Sequence, residues 1–578
     1  MYSHHRILHF RYAASLLFVL FVLALVKVQL IDGEVYRQKG DNNRIRLIPI
    51  KAPRGRIYDN KGRILADSRP SLSVSIIPDD ITSEGIKLLS ELLSIDTGYV
   101  EDKISSTRQP SFAPVQVLSD IDELQFHKLK EQSNRIPGMI LNIEGKRVYP
   151  YGEAASQIIG YLGKLSQKEY NVKKYLGYGF GDYIGRMGIE YVFEEVLRGE
   201  YGGRQVEVNA KGEILDVLAE KQSYAGTGIR LTIDIVLQQK IEEALDGYTG
   251  SVCVMDVNNG EILALASKPG YDPNVFLQRG KSDERIALLN DTSRPFINRC
   301  ISARYPPGSV FKLVTALAGL QEGVITPTTS IPCDGYYQLT PTSRKFHCWS
   351  ELGHGNVQLS QALEQSCNVY FYRVAHKLGA QALADFCHKL MMDEPVEIEL
   401  PGAIRSIIPS PGWKKERMKT KWYQGETLHY GIGQGFVTVT PLQIARLIAL
   451  IANEGMLIDP TIIKGVAHKP RESTVSPSHI RSVKKGMVKA VNNSYGTARA
   501  AKVDFFTVAG KTGTAQTTGD AHSWFAGFFP YDAPQIAIVV IAEHAGSGGG
   551  VAANVAKEAI KAWHDIYYDD KEEDNNGI

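Results

Sequence analysis

The sequence predicts an α+β fold whose larger part is a central antiparallel sheet covered by helices. Within residues 226–566, a helical stretch comes first, followed by a strand–turn–strand pattern with Asn258-Asn259-Gly260 as the hairpin turn. A long, mostly helical segment comes next. The region ends in three apolar strands and a final helix, at Phe506–Ala509, Ser523–Phe529, Ile536–Ala542 and Val551–Ile566. Strands that come early and late around a helical insert are typical of a sheet that helices cover.

The composition is that of a folded protein. Hydrophobic residues make up 43% and charged residues 22% of 578 residues, which excludes global disorder and a collagen-like repeat. Basic and acidic residues nearly balance, at 65 and 63, so no overall basic field indicates a nucleic-acid partner. The six cysteines are too few for a disulfide scaffold, and their positions carry more information than their number.

The N-terminus predicts export. Residues 1–11 are polar and basic, and the fifteen residues Tyr12 to Val26 carry no charge but cover only about 22 Å as a helix. Extension to Ile31 gives about 30 Å if Lys27 reaches toward the far interface. We therefore predict an anchor over residues 12–31 with residues 1–11 in the cytoplasm. The alternative is a cleaved signal peptide, for which Ala24-Leu25-Val26 is a poor cleavage site.

The exported part divides in two by composition. Residues 32–225 mix short helical and strand patterns, and we find no catalytic constellation there. A Gly- and Ser-containing linker around residues 221–228 separates them from the region 226–566. Residues 567–578 are acidic and polar, and we predict a disordered tail.

Three short motifs in the second region carry chemistry. Ser309 and Lys312 lie three positions apart at a helix start, where both share a face and the amine can deprotonate the hydroxyl. Such a lysine needs its pKa lowered by about three units, through burial or a second positive charge. Ser366 and Asn368 follow 57 residues later and suit a connection between helices that points into a cleft. Alone, the first motif is also typical of an ordinary helix start, and the second of a helix end.

The third motif comes at the start of the late strands. It consists of Lys511, Thr512, Gly513 and Thr514, where a glycine lets a substrate backbone approach the strand edge and a lysine beside hydroxyls can bind a carboxylate. Alone it is typical of a turn between strands. The set Ser-x-x-Lys, Ser-x-Asn and Lys-Thr-Gly in this order, however, is the one used by β-lactamases and penicillin-binding proteins. The second motif departs from the common Ser-Asp-Asn by having Cys367 in the middle.

The chain resembles the class B penicillin-binding proteins, and more closely their elongation branch than their division branch. The resemblance extends from the anchor to about Ile566. Its other segments are Arg54 to Asp59 with Leu65-Ala66, Arg147 to Pro150, Gly160 to Gly163, Gly188 to Glu190, Ala266 to Pro269, Asp272 to Asn274, Asn298-Arg299, Tyr305 to Lys312, Gly431 to Gly435, Thr440-Pro441 and His522 to Phe525. It implies a fold of the serine β-lactamase and penicillin-binding type for residues 226–566, and an elongated, mixed α/β pedestal or dimerisation domain for residues 32–225.

The resemblance also implies a peptidoglycan D,D-transpeptidase or carboxypeptidase of the inner membrane, active in cell elongation. Ser309 would attack the penultimate D-Ala carbonyl of a stem peptide, with Lys312 as general base, and β-lactams would trap the same serine. Ser366 would pass a proton to the leaving amine, Asn368 would hold the acyl amide, and the N–H groups of Ser309 and Thr514 would form the oxyanion hole. The implied roles in binding the substrate carboxylate fall to Lys511, Thr512, Gly513 and Thr514.

The implied partners are elongation machinery. We find no glycosyltransferase motif in residues 32–225, so the resemblance implies a monofunctional enzyme that works beside a polytopic lipid-II polymerase of the RodA type. No organic cofactor is expected.

A cysteine-rich stretch follows the nucleophile. Cys333, Cys348, His354 and Cys367 lie within 35 residues, and three thiolates with one imidazole form a common tetrahedral zinc set. Their spacing alone favours zinc only weakly, and a Cys333–Cys348 disulfide is the alternative. Some elongation-type relatives bind zinc in matching contexts, which implies one structural zinc ion here, with His347 and Asp334 as substitute ligands. Apolar patterns surround the other cysteines, which we expect in the core: Cys253, Cys300 and Cys387.

Three other functions stay open at this point. A membrane-anchored β-lactamase or penicillin sensor shares the serine and both lysines, although we see no signature for the fast deacylating water that a hydrolase needs. A division-type penicillin-binding protein shares the whole set. A scaffold with vestigial chemistry would be expected to have lost motifs that are intact here.

Overall fold

The computed structural model describes residues 2–34, 45–107, 111, 114–208 and 214–569. A helix over Tyr2–Val26 continues as a π-helical turn over Lys27–Ile31. The stretch Ile7–Ile31 is the one helix in the described part of the chain that is long and apolar enough to cross a membrane. The helix begins ten residues before the predicted anchor, because residues 2–11 contain neither proline nor glycine to stop it.

The first half is built on two sheets and a small strand pair. The three-stranded antiparallel sheet has the order Ile45–Ile50, Gly202–Val208, Ile214–Lys221. The second sheet comprises Ile57–Tyr58, Ile64–Ile76, Val115–Ile121, Met139–Val148 and Ile229–Arg230, and the strand pair is Leu162–Lys164 with Tyr183–Gly185. The helices of this half are Ser83–Leu93, Thr97–Ser106, Glu123–Glu131, Ser156–Ile159, Gln167–Lys173, Gly188–Val192 and Glu194–Arg198, with 3₁₀ turns at Ser133–Arg135 and Lys174–Leu176.

A buried ion network joins segments of the first half that are far apart in sequence. Glu190 is fully buried and accepts hydrogen bonds from Arg54 at 2.6 Å, Arg147 at 2.7 Å and the Tyr149 hydroxyl at 3.1 Å. Arg54 also pairs with Glu194 at 2.6 Å. Three of the first-half segments that carry the family resemblance, those with Arg54, Arg147 and Glu190, therefore meet at one carboxylate.

Glutamine in place of Glu190 is expected to destabilise this half by about 3 kcal/mol, since it takes a carboxylate from two buried guanidinium groups, of which Arg54 keeps Glu194 as a partner. Calorimetric unfolding of the purified full chain measures the change. The matched control is Glu220→Gln, because the exposed pair of Glu220 with Arg204 at 3.1 Å is worth about 0.5 kcal/mol. Equal effects of both variants would contradict a stabilising role for the network.

The second half contains the predicted antiparallel sheet. Its five strands have the spatial order Ile262–Lys268, Gly250–Asp256, Ile536–Ala542, His522–Phe529, Ala509–Ala515. Side chains alternate between two cores: Val252 and Val254 pack with the helices Ile235–Ala244 and Val551–His564, whereas Cys253 and Met255 face the helical insert. Helices thus cover both faces, and the predicted fold class is confirmed.

The helical insert supplies the elements around the cleft. Two of its helices begin with proline, at Pro441 and Pro477, each directly after its N-cap residue. The helices are Ser282–Asn290, Arg299–Ser302, Lys312–Gln321, Leu359–Glu364, Asn368–Lys389, Pro411–Met418, Gln424–Gly431, Pro441–Ala452 and Pro477–Asn492, with 3₁₀ turns at Pro273–Phe276, Gly308–Phe311 and Arg499–Ala501. Short strand pairs are Ile331–Cys333 with Gly355–Val357, Tyr336–Tyr337 with Phe346–His347, and Met456–Leu457 with Arg471–Glu472.

The first of the three late strands differs from its prediction. We expected Phe506–Ala509, but the strand spans Ala509–Ala515 and pairs with His522–Phe529 along its whole length. Phe506 instead joins an aromatic cluster, with its ring 6.1 Å from that of Trp563. The motif that begins at Lys511 is consequently part of the strand itself.

The two halves and the C-terminal end meet at one junction. Asp59 is fully buried and accepts backbone hydrogen bonds from Arg63 at 2.7 Å and from Ile235 at 3.3 Å. The hydroxyl of Tyr567 donates to Asp234 at 3.1 Å and accepts from Asn60 at 3.2 Å. Strand Ile229–Arg230, beyond the predicted boundary at 225/226, still pairs with Ile57–Tyr58.

The predicted tail over residues 567–578 therefore begins too early. Asp565–Asp569 forms a π-helical turn that continues the last helix, and the Tyr567 ring stacks on Trp563 at 5.5 Å. Tyr567 and Tyr568 both have aromatic and polar partners, which the polar composition of this stretch does not reveal. Residues 570–578 lie outside the described residues.

Candidate active site

Ser309 lies in a tight turn that packs against Ala509–Ala515, the strand at the edge of the sheet. The turn Gly308–Phe311 runs directly into the helix Lys312–Gln321, and Phe311 is fully buried beneath it. Gly308 has a φ of +52°, and a Cβ there would lie 2.7 Å from the Thr514 carbonyl oxygen. Glycine is thus required for the close approach of turn and strand. Ser309 itself is half-buried and lines the cleft.

Lys312 points from this helix to the second motif. Its Nζ donates hydrogen bonds to the Ser366 carbonyl at 2.8 Å, the Ser366 hydroxyl at 3.2 Å and Asn368 Oδ1 at 2.7 Å. The side chain is fully buried, and burial lowers the pKa of Lys312 to about 8. At pH 7 about one Lys312 side chain in ten is then neutral, and the neutral amine is the form that a general base requires.

Ser366, Cys367 and Asn368 form the predicted connection between two helices. The helix Leu359–Glu364 ends just before Ser366, whose φ of +52° turns the chain sharply. Cys367 caps the next helix, because its sulfur accepts the Tyr370 N–H at 3.4 Å. Ser366 and Asn368 both face the cleft, whereas Cys367 faces away from it.

Lys511 reaches the same serine from the strand side. Its Nζ donates to the Ser366 hydroxyl at 2.9 Å and to the Thr512 carbonyl at 3.1 Å. Burial and the charge of Lys312 hold the pKa of Lys511 well below its ordinary value. The Ser366 hydroxyl thus lies between two amines, an arrangement that can pass a proton between them.

The cleft has a volume of about 570 Å³, and Ser309, Ser366 and Asn368 line it, with Lys312 and Lys511 buried behind Ser366. Thr512 and Thr514 line its strand side, and Gly513 lies between them with room for no side chain, since a Cβ would lie 2.9 Å from the Pro307 carbonyl. Both predicted oxyanion-hole residues, Ser309 and Thr514, face the cleft. All residues of the three motifs are therefore brought to one place.

Sequence reasoning missed several residues that also line the cleft. Gln434 donates to the Thr514 carbonyl at 3.3 Å, and its glycine-rich segment had been noted only for its resemblance. No motif or periodicity in the sequence indicated the others. Among the missed residues are Arg344, Lys345, His347, Tyr372, His429 and Gln434.

The four predicted metal ligands form a cluster directly behind the second motif. The ligand atoms of Cys333, Cys348, His354 and Cys367 all lie within 4.8 Å of one another. His354 Nδ1 is 3.5 Å from the sulfurs of both Cys333 and Cys348. No disulfide joins any of the six cysteines, and the three that were expected in the core, Cys253, Cys300 and Cys387, are buried. Neither substitute ligand, His347 or Asp334, belongs to the cluster.

Two families match consecutive parts of the chain. The Penicillin-binding Protein dimerisation domain matches residues 49–231, and the Penicillin binding protein transpeptidase domain matches residues 250–561. Among curated proteins, the chain is similar to the peptidoglycan D,D-transpeptidase MrdA of Haemophilus influenzae. The two are 33% identical over 93% of this chain and 88% of that protein.

Solved structures show the same likeness. The penicillin-binding protein PBP2 of Helicobacter pylori, solved in complex with MreC, superposes with a TM-score of 0.82 at 26% identity, over 91% of this chain and 99% of that one. A peptidoglycan synthase complex that coordinates polymerization and crosslinking contains a chain with a TM-score of 0.73 at 30% identity. That match covers 96% of this chain and 98% of that one.

Proposed function

Because this chain belongs to the penicillin-binding proteins and is an elongation-type peptidoglycan D,D-transpeptidase, we propose that it cross-links stem peptides through an acyl-enzyme on Ser309. The family predicted from the motifs is confirmed, and the relatives favour neither a β-lactamase or sensor nor a division-type protein. The observation that carries the proposal is the convergence of Lys312 and Lys511 on the Ser366 hydroxyl beside Ser309.

In the first step, the Ser309 hydroxyl attacks the carbonyl carbon of the penultimate D-Ala. Lys312, neutral at the start, accepts the hydroxyl proton, while the N–H groups of Ser309 and Thr514 stabilise the negative oxygen of the tetrahedral intermediate. The peptide bond breaks when the leaving nitrogen takes a proton through Ser366. Terminal D-Ala departs, and an ester on Ser309 remains.

Carboxylate binding falls to the strand side of the cleft. Thr512 and Thr514 offer hydroxyls there. The space left by Gly513 is filled by the turn that carries Ser309, so this glycine does not open the cleft to the substrate backbone as expected. Lys511 is fully buried behind Thr512 and donates to the Ser366 hydroxyl, so it acts without direct contact with the carboxylate. This modifies the role that the resemblance implied for Lys511.

In the second step, the amine of a neighbouring stem peptide attacks the ester carbonyl, which forms the cross-link and frees the Ser309 hydroxyl. Water in place of the amine would give carboxypeptidase activity. We propose that the chain carries no glycosyltransferase and that a separate polymerase makes its glycan substrate.

The purified full chain in detergent tests this proposal. Incubated with uncross-linked glycan strands, it should form dimeric muropeptides, release one D-Ala per cross-link and lose both activities after treatment with penicillin. Nitrocefin serves as the control substrate. Rapid hydrolysis of nitrocefin without cross-linking would favour a β-lactamase instead.

We also infer that Cys333, Cys348, His354 and Cys367 hold one structural zinc ion. Tetrahedral zinc with sulfur at about 2.3 Å and nitrogen at about 2.0 Å places such ligands about 3.5 Å apart, the spacing of His354 Nδ1 from two of the sulfurs. Zinc would join the loop that carries Cys333, Cys348 and His354 to the second motif, because Cys367 lies between Ser366 and Asn368. It would take no part in the reaction.

Loss of zinc is expected to unfold the second motif. Purified protein should contain about one zinc per chain, and Cys348→Ser should lose most of it, together with several degrees of melting temperature and penicillin labelling. Cys387→Ser is the matched control, because Cys387 is buried outside the cluster near Tyr430. A metal-free wild type in which a thiol count finds two thiols missing would favour the disulfide.

We propose that the apolar N-terminal helix is a single-pass anchor of the inner membrane with residues 1–11 in the cytoplasm. Arginines before the span support this orientation. We propose a RodA-type polymerase and other elongation proteins as partners. Support comes from the relatives solved with MreC and in a peptidoglycan synthase complex.

A further inference from the structure

The cleft carries two cationic side chains for which the proposed reaction has no use, Arg344 and Lys345. Both are exposed and both line the cleft. No aspartate or glutamate lines it in the part of the chain that the structure describes. The free cleft therefore has an excess of positive charge, which favours an anionic ligand.

The segment that carries these cations is held firmly in place. Phe346 is buried, and its ring lies 5.4 Å from that of His429 and 5.9 Å from that of Tyr372. The Arg344 guanidinium lies 5.5 Å from the Phe346 ring centre, and Lys345 Nζ lies 4.0 Å from that of Tyr336. Burial lowers the pKa of His429, and the positive charge of Arg344 lowers it further. Both residues line the cleft, so this effect agrees with a guanidinium that faces the cleft.

Hydrogen bonds show which half of the substrate this segment faces. The His347 carbonyl accepts from Asn368 Nδ2 at 3.4 Å and from the Tyr372 hydroxyl at 3.3 Å, so the segment runs beside Asn368. In the proposed reaction, Thr512 and Thr514 hold the departing D-Ala, and Asn368 holds the acyl half. The stem-peptide residues upstream of the cleaved bond would then lie along the segment that carries Arg344 and Lys345.

We propose that Arg344 and Lys345 bind a carboxylate of the donor stem peptide upstream of its D-Ala–D-Ala bond. This rests on the proposed function, because the orientation of the donor comes from the assigned roles of Thr512, Thr514 and Asn368. Both cations line the same cleft, and a charged acceptor gives each of them a stronger hydrogen bond than an amide does. The pair would thus select donors by a group distant from the reacting bond.

Two synthetic thioester donors test the proposal on the full chain in detergent. They share a D-Ala thioester and differ upstream in one group, a carboxylate or its primary amide, and released thiol reports acylation. Wild type should prefer the carboxylate donor by about tenfold in kcat/KM, which corresponds to about 1.4 kcal/mol. The variant Arg344→Gln/Lys345→Gln should lose this preference through KM, with the amide donor and penicillin changed less than about threefold.

Two further variants separate charge from structure. Arg344→Lys/Lys345→Arg should retain most of the preference. Lys415→Gln/Arg417→Gln removes the same charge from an exposed helix outside the cleft and should change nothing. Equal losses on both donors, or no preference in wild type, would overturn the proposal. Failure of wild type to release thiol from either donor or to be labelled by penicillin would overturn the proposed function instead.

Discussion

Alanine in place of Ser309 is expected to abolish covalent labelling by fluorescent penicillin, with a fall in the acylation rate of at least about 10⁴-fold. The variant keeps both lysines, but no oxygen remains to form the ester. The turn should keep its shape, because the fully buried Val310 and Phe311 anchor it. Gel fluorescence over a time course measures labelling, and mass spectrometry of the wild type should find the adduct on the peptide with Ser309.

Ser302→Ala provides the control for this experiment. Ser302 lies on the short helix before the turn, donates to the Gly402 carbonyl at 2.8 Å and does not line the cleft. Its loss should leave labelling unchanged. Persistent labelling of the Ser309 variant would refute the nucleophile assignment. The next candidate would be Ser366, a cleft serine whose hydroxyl lies between two amines.

Methionine in place of Lys312 is expected to slow acylation by about 10³-fold while leaving penicillin binding nearly intact. Methionine fills the buried volume of the lysine but cannot take the Ser309 proton. In wild type, the rate should rise as the pH increases through about 8, because Lys312 is a base only when neutral. The variant should lose this dependence.

Lys484→Met is the matched control, since Lys484 is also buried but donates to the Ala452 carbonyl at 3.1 Å, away from the cleft. Folded protein of this variant should be acylated at the wild-type rate. A Lys312 variant with unchanged kinetics would mean that another group, such as Lys511, removes the proton.

The sequence could indicate which residues lie together at the candidate site because they belong to short motifs. Ser309 and Lys312 are neighbours on one turn, so their mutual position follows from helix geometry alone. The cysteine cluster was likewise predicted as a group. What no pattern could reveal is that Lys312 contacts Ser366 and Asn368, because that pairing depends on how two helices pack.

Contacts between distant segments were the main gap in the prediction. Arg54 and Glu190 are 136 residues apart, and neither lies in a pattern that indicates a buried ion pair. Lys511 lies in a stretch with two glycines, which have low strand propensity. The stretch nevertheless forms a strand, because it pairs with the buried strand His522–Phe529. Tertiary packing decided these cases over local preference.

The junction at Tyr567 has a practical consequence for shortened versions of this protein. A truncation at 566, where the family resemblance fades, would remove the phenol that joins Asn60 to Asp234. The residues of the three motifs would all remain, but the contact between the two halves would lose these two hydrogen bonds. Shortened proteins should therefore end no earlier than Asp569, where the π-helical turn ends.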